Sequence, residues 1–214
     1  MAQQPDHQLA LRVLPAALYR ALLHVFAQKI ADCMLVGGTA LAGYYAGHRR
    51  SDDLDLFVRD TAALQAAVLA IGSLTSAGGT VNPRQRTPQF YDATCELAGH
   101  TFTAQVVVDA GVFEVGESMP AEDGAVVASL QTLLKQKSAT LVSRCSEKDL
   151  YDLKWLIAAQ PDLKIEDLLQ LGAQIDGGMS AESALISVTG AVLRKAACGF
   201  SQTLCCFIQA ERFL

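Results

Sequence analysis

Missing first of all is any uninterrupted apolar run near the roughly eighteen residues that a membrane-spanning helix needs, so a helical membrane protein is not expected. The opening MAQQPDHQLA lacks the basic-then-apolar design of an export signal, which predicts a cytoplasmic chain. Cysteine occurs six times, at 33, 95, 145, 198, 205 and 206, but never as CxxC and never with histidines at zinc spacing. The set reads as thiols of a reducing compartment rather than a zinc site or a disulfide framework. Positive charge is not in excess: 17 Lys and Arg face 22 Asp and Glu, for a net charge of −5. The chain as a whole is therefore not built to attract nucleic acid by bulk electrostatics. Two common phosphate-binding signatures, GxxxxGK(S/T) and GxGxxG, are also lacking, which excludes the usual phosphate loop and the dinucleotide fingerprint.

What is present is a chain of 214 residues, 51% hydrophobic, enough to bury a proper core in one compact unit or two small lobes. Leu14, Ala17, Leu18, Ala21, Leu22, Val25 and Phe26 are spaced for one face of a helix over residues 14–32. Cys33–Val36 reads as a strand, Thr39–Ala46 as a short helix, Asp53–Val58 as a second strand. Asp60 then offers an N-cap for a helix running to about Leu74. Residues 80–108 alternate as β structure, with a Gly99-His100 turn and a loop at Asn82–Pro88 that carries Arg84 and Arg86. From Ala128 onward the pattern is helical: Ser129–Ser143, Glu147–Ala159 with Ser146 as its cap, 162–172, and 181–197 after the hinge-like Gly177-Gly178.

The chemistry concentrates in residues 36–57, VGGTALAGYYAGHRRSDDLDLF. Asp53 and Asp55 lie two apart on a strand, so they share a face, roughly 6.5–7 Å apart along the chain. Leu54 and Leu56 point the other way, toward the core. Two acids on one face are costly unless a positive group joins them, and a hard divalent cation such as Mg²⁺ supplies both the charge and the preference for oxygen ligands. Upstream, a strand runs into Gly37-Gly38 and Thr39, where backbone N–H groups can approach an anion with no Cβ in the way. A phosphate cradle beside a metal-binding acid pair describes a site for a nucleoside triphosphate with Mg²⁺.

These residues resemble the first motif of the AbiEii/AbiGii-type nucleotidyltransferase toxins, within the DNA polymerase beta-like superfamily. That pattern is Gly-Gly-Thr-Ala-Leu, a helix, Gly-His-Arg-x-Ser, one variable place (Asp52 here), then Asp-Leu-Asp-Leu-Phe. Lys137-Ser138-Ala139, through Arg144, to Lys148-Asp149-Leu150-Tyr151-Asp152-Leu153 resembles the family's second motif. The two span about residues 34–153. The resemblance implies an α+β fold: a nucleotidyltransferase-like mixed β-sheet flanked by helices over residues 1–125, then a helical C-terminal region over 126–214. It implies a Mg²⁺-dependent (or Mn²⁺-dependent) transfer of NMP from an NTP to an acceptor hydroxyl on RNA, such as tRNA, or on protein. A bacterial toxin–antitoxin or phage-defence role, with a cognate antitoxin as partner, goes with it. Asp53 and Asp55 would hold the metal, and Gly37, Gly38, Thr39 and Ser51, with Arg49 or Arg50, would receive the triphosphate. Lys137 would pair with phosphate, and Asp149 and Asp152 would join the catalytic set.

Several residues carry two readings. In polymerase beta-like enzymes a third carboxylate on a neighbouring strand often joins the pair; Asp109 is the candidate by strand position, and an acid that caps a turn is the other reading. Asp149 also suits the dipole of a helix start, and a lone lysine such as Lys137 on an Ala/Leu-rich helix is ordinarily solvent-facing. Arg49, Arg50, Arg84, Arg86, Lys135, Lys137, Arg144, Lys148 and Lys154 form either a local basic cleft or a scattered, solvated set. Among rival functions, a haloacid-dehalogenase phosphatase wants Gly-Thr after Asp-x-Asp, where Leu56-Phe57 stand. A glycosyltransferase accepts the acids but leaves the glycines unexplained. A non-catalytic nucleotide- or partner-binding module that keeps the fold is the remaining alternative. The apolar tail Cys198–Leu214 departs from the tyrosine-, phenylalanine- and acid-rich ending expected of the family; a packed terminal helix and an interaction surface both fit it.

Overall fold

The computed structural model describes residues 3–143 and 145–190. Arg144, the last seven residues of the helix expected at 181–197, and the apolar tail with its three cysteines lie outside the described residues. The chain divides into two compact units, the first reaching Thr132 and the second beginning at Leu133.

The first unit is built on a seven-stranded mixed sheet. Its strands are β1 (Cys33–Leu35), β2 (Asp53–Val58), β3 (Thr80–Arg86), β4 (Phe90–Leu97), β5 (His100–Val108), β6 (Ser118–Pro120) and β7 (Val126–Ala128), in the spatial order β3-β4-β5-β2-β1-β7-β6. The β2/β5 and β1/β7 pairs are parallel and the others antiparallel. The β4–β5 hairpin turns through Ala98 (φ 50°) and Gly99 (φ 76°), the two left-handed residues of a tight two-residue loop. β3 is an edge strand, largely exposed, with Pro83 in it and a register shift between Pro83 and Gln85.

One sheet face is apolar. Leu54, Leu56, Phe102, Ala104, Val106, Tyr91, Ala93 and Cys95 are all buried, and α2 (Ala16–Phe26) and α4 (Thr61–Gly72) contact β2, β4 and β5. Alternation along each strand dictates this, and each buried Leu or Phe contributes about 1.5–3 kcal/mol. Asp60 caps α4, accepting a hydrogen bond from the Ala63 N–H at 2.8 Å, as the sequence predicts.

Several elements differ from expectation. The helix expected over 14–32 is shorter: α2 begins at Ala16, after Pro15, and ends at Phe26, with Lys29 (φ 52°) and Asp32 (φ 48°) beyond it out of helical geometry. A separate helix not expected from the sequence, α1 (His7–Val13), capped by Asp6, precedes it. The expected loop at Asn82–Pro88 is mostly strand β3, since an edge strand tolerates a proline. Residues 126–128 are strand β7 rather than part of a helical region. Tyr19 on α2 and Tyr44, in the helical segment after β1, both donate to Asp123 Oδ2, at 2.7 and 2.9 Å, and tie the β6–β7 connection to the helices.

All regular elements among the described residues of the second unit are helices: the rest of α6 (Leu130–Ser143), then α7 (Glu147–Ala158), α8 (Ile165–Ala173) and α9 (Ala181–Gly190). Ser146 and Asp149 form the reciprocal capping box at the start of α7. No helix among the described residues is long and apolar enough to cross a membrane.

Candidate active site

β1 ends in a sharp elbow. Gly37 has φ +69°, a region glycine enters freely and a side chain does not. A Cβ built on Gly37 would lie 2.5 Å from Asp55 Oδ2, and one on Gly38 would collide with the Arg49 guanidinium and lie 2.9 Å from Ser51 Oγ. Gly37 is thus fixed by its left-handed backbone and the close approach of an acid, while Gly38 packs against the far end of the Arg49 side chain. The chain continues as α3 (Gly37–Leu41) and one wider turn, Ala42–Ala46. The antiparallel ladder carries on past β1, with Val36 N–H donating to the Asp55 carbonyl at 2.9 Å, so the elbow is locked against the acid-bearing strand.

Thr39 and Ser51 hold the turn. Thr39 is fully buried; its one hydroxyl hydrogen goes to the Asp53 carbonyl oxygen, and its oxygen lies 3.0 Å from Ser51 Oγ, whose hydroxyl can donate to it. Its contacts inside the protein make Thr39 a brace for the strand that presents the acids. Arg49 Nη1 donates to the Arg50 carbonyl at 3.0 Å while its other end lies over Gly38, placing positive charge at the elbow.

Asp53 and Asp55 are half-buried on the face opposite Leu54 and Leu56. Parallel pairing sets Thr103 and Gln105 of β5 beside them, and antiparallel pairing continues the rows to Thr94 and Asp92 of β4. Thr103 Oγ1 donates to Asp53 Oδ1 and fixes that carboxylate. At the β3 bulge, Arg84 Nη2 bonds Asp92 Oδ1 at 2.6 Å. Its guanidinium is pushed up in pKa chiefly by that hydrogen bond, with the charge of Asp53 adding to it. Thr103, Gln105, Asp92 and Arg84 escaped the sequence reading as partners of the pair. Their alternation with Phe102, Ala104, Tyr91 and Ala93 shows which residues share a face, but only the strand pairing shows whose neighbours they are.

Asp109 is placed elsewhere. Its partner row lies beyond Val58↔Val108, past the far end of β2 from Asp53, and its Oδ1 accepts the Val112 N–H at 3.1 Å as the N-cap of α5 (Ala110–Val115). Of its two readings the structure selects the cap, because the strand carries it several residues past the acid pair; Thr103 and Gln105 occupy the flanking positions on β5.

In the second unit, Lys137 is buried rather than solvent-facing. Its Nζ lies 2.8 Å from Asp149 Oδ1 and 2.7 Å from Asp152 Oδ2, and all three side chains are at most 5% exposed. Asp149 Oδ2 accepts from Ser146, so its two oxygens serve the lysine and the helix cap at once. Of the basic residues, Arg84 pairs with Asp92, Arg86 Nη2 with Gln65 Oε1 at 3.2 Å, and Lys137 with its two aspartates.

The donor set at Asp53 and Asp55 fits a hard divalent cation. Mg²⁺ is commonly held by one or two carboxylates with substrate phosphates and water filling the other places. Here two same-face carboxylates stand beside an anion-ready elbow, and among the described residues no group of three or more His, Cys, Asp or Glu side chains gathers into a closed metal cage.

A glycine elbow abutting the second of two same-face aspartates, on a mixed sheet with helices over its apolar face, defines a nucleotidyltransferase fold. Solved structures share it. MenT4, a nucleotidyltransferase toxin from Mycobacterium tuberculosis, matches with a TM-score of 0.58 at 14% identity, over 94% of this chain and 87% of its own. A putative nucleotidyltransferase from Helicobacter pylori matches at 0.55 and 20% identity (90% and 91% covered), and JHP933 from the same organism at 0.54 and 17% (92% of each). No curated protein matches the chain by sequence. The model of the family described as nucleotidyl transferase AbiEii toxin, type IV toxin–antitoxin system, matches residues 17–197. The chain belongs to that family, and it is a nucleotidyltransferase.

Proposed function

We propose that this toxin uses Mg²⁺ to transfer NMP from an NTP to an acceptor hydroxyl, and that the acceptor is an RNA such as tRNA. The observation that supports the reading is the close approach of Asp55 to Gly37, where a Cβ would lie 2.5 Å from Asp55 Oδ2. The acceptor hydroxyl gives up its proton to water, its oxygen forms a bond to the α-phosphorus, the bond from that phosphorus to the β-phosphate bridging oxygen breaks, and pyrophosphate leaves. Asp53 and Asp55 would hold the metal, which when bound neutralises phosphate charge in the in-line displacement. Thr103 keeps Asp53 in one orientation, and Thr39 fixes the strand beneath it. The Gly37 and Gly38 N–H groups and the Arg49 guanidinium receive the departing pyrophosphate, so charge develops against fixed donors. From the second unit, Lys137 with Asp149 and Asp152 is assigned to the same reaction on the strength of its motif; an antitoxin, a phage-defence setting and a cytoplasmic site of action complete the proposal.

Incubation with each labelled NTP, Mg²⁺ and total bacterial RNA tests the reading. Label should enter RNA, and Asp53→Ala or Asp55→Ala should abolish it while leaving the circular dichroism spectrum intact. Wild-type turnover in either variant would falsify the metal assignment. NTP binding with no transfer to RNA or protein would make the chain a binding module instead.

A further inference from the structure

A second feature of the first unit lies alongside the elbow. Arg12 at the end of α1 and Arg49 and Arg50 before β2 line one cleft of about 660 Å³, with Asp52 and His100 on its rim. Arg12 and Arg50 bring two guanidiniums to this cleft, although the chain carries a net charge of −5. Asp52 is engaged by His100, whose Nε2 lies 3.3 Å from its Oδ1. Among the described residues, neither Arg12 nor Arg50 forms an ion pair with a carboxylate. Concave walls of one sign focus the field and raise the local concentration of an opposite charge. Arg49 belongs to both places, lining the cleft and covering Gly38.

We propose that this cleft binds the sugar–phosphate backbone of the RNA strand whose hydroxyl accepts the nucleotide. The inference rests on the reading above and adds where that strand lies. A guanidinium fork matches phosphate oxygens two at a time, and a strand of phosphodiesters brings one anion per nucleotide, enough to engage Arg12 and Arg50 in succession while its end reaches Arg49. A serine or tyrosine acceptor on a protein brings no such row of charges. Val13 and Pro15, also in the wall, offer apolar surface to ribose. Recognition of this kind is independent of base sequence, because phosphate contacts carry none.

The test is fluorescence anisotropy of a short labelled single-stranded RNA with the full chain, without NTP, between about 50 and 200 mM salt. For single strands the slope of log affinity against log salt is about −0.7 per neutralised phosphate. Arg12→Gln should flatten it by about 0.7, and Arg12→Gln with Arg50→Gln by about 1.4. Arg12→Lys, which keeps the charge, should retain the slope, and Arg12→Gln should keep wild-type NTP affinity by calorimetry and an unchanged melting midpoint. An unchanged slope in the double variant overturns the proposal. So does a parallel fall in NTP affinity in Arg12→Gln, which would make the cleft a triphosphate site, and so does tighter, equally arginine-dependent binding of a polyglutamate peptide. RNA transfer that persists unaltered in the double variant sinks the cleft and spares the enzyme; arginine-dependent RNA binding with no transfer does the reverse.

Discussion

Lys137 shows how much one side chain can hold. Its ammonium sits between two buried carboxylates, and removing it strands both. Breaking a buried pair by deleting one partner costs about 3–5 kcal/mol, a large part of the roughly 5–15 kcal/mol that holds a domain together. Lys137→Ala should therefore lower the guanidinium midpoint sharply, and any loss of nucleotide affinity has to be read at protein concentrations and temperatures where the variant is folded. A midpoint equal to that of the unaltered protein would mean that the lysine is solvated after all. The capping box at Ser146 and Asp149 and the pairing of acid faces at Asp53 and Asp55 were legible from spacing alone, because both depend on residues close in the chain. The lysine's burial was not, since it depends on residues twelve and fifteen positions away across a helix–helix corner.

Among the elements, the elbow is the most exposed to a single change. Ala at position 37 would take a left-handed conformation, worth about 1–2 kcal/mol, and its Cβ would press on Asp55 Oδ2. Gly37→Ala should therefore lose transfer activity along with some melting temperature. Gly78 supplies the control: it too has positive φ (+83°), but a Cβ there meets nothing within 4 Å. Gly78→Ala should lose a similar amount of melting temperature and keep its activity; equal losses of activity in the two would separate the elbow from the chemistry. β2, β4 and β5 announce themselves by alternation and by their flanking turns, and β1 by an apolar run that ends in Gly37-Gly38. β3 does not, because Asn82 and Pro83 read as turn residues in any strand except an edge, and β6 and β7 are three residues each, too short for a period. Asp109 reads as a third acid only while the pairing of β2 with β5 is unknown; the register carries it beyond the pair.

For the whole molecule, the buried acids of high pKa set an alkaline limit. Burial pushes the Cys33 thiol from 9.0 up to about 12 and, with the Asp92 charge adding a little, the Cys95 thiol up to about 11; Tyr45 rises from 10.0 to about 12. Tyr44 and Tyr19 are raised in the same direction, by burial first and by Asp123 second. Each group keeps its proton in the folded state after the unfolded chain has released it. Their contribution is therefore complete below about pH 9 and shrinks as pH climbs from there through the folded values. The guanidinium midpoint should hold up to about pH 9 and fall from there to about 10.5; a flat profile would place these groups in contact with water. At the sheet's outer limit, β3 presents Pro83, a kinked register and the arginines 84 and 86. A neighbouring copy approaching that border finds an amide missing, a bent ladder and like charge, so the row of strands stops growing there, and a crowded population of these molecules has no ready route to stacking into fibres along that side.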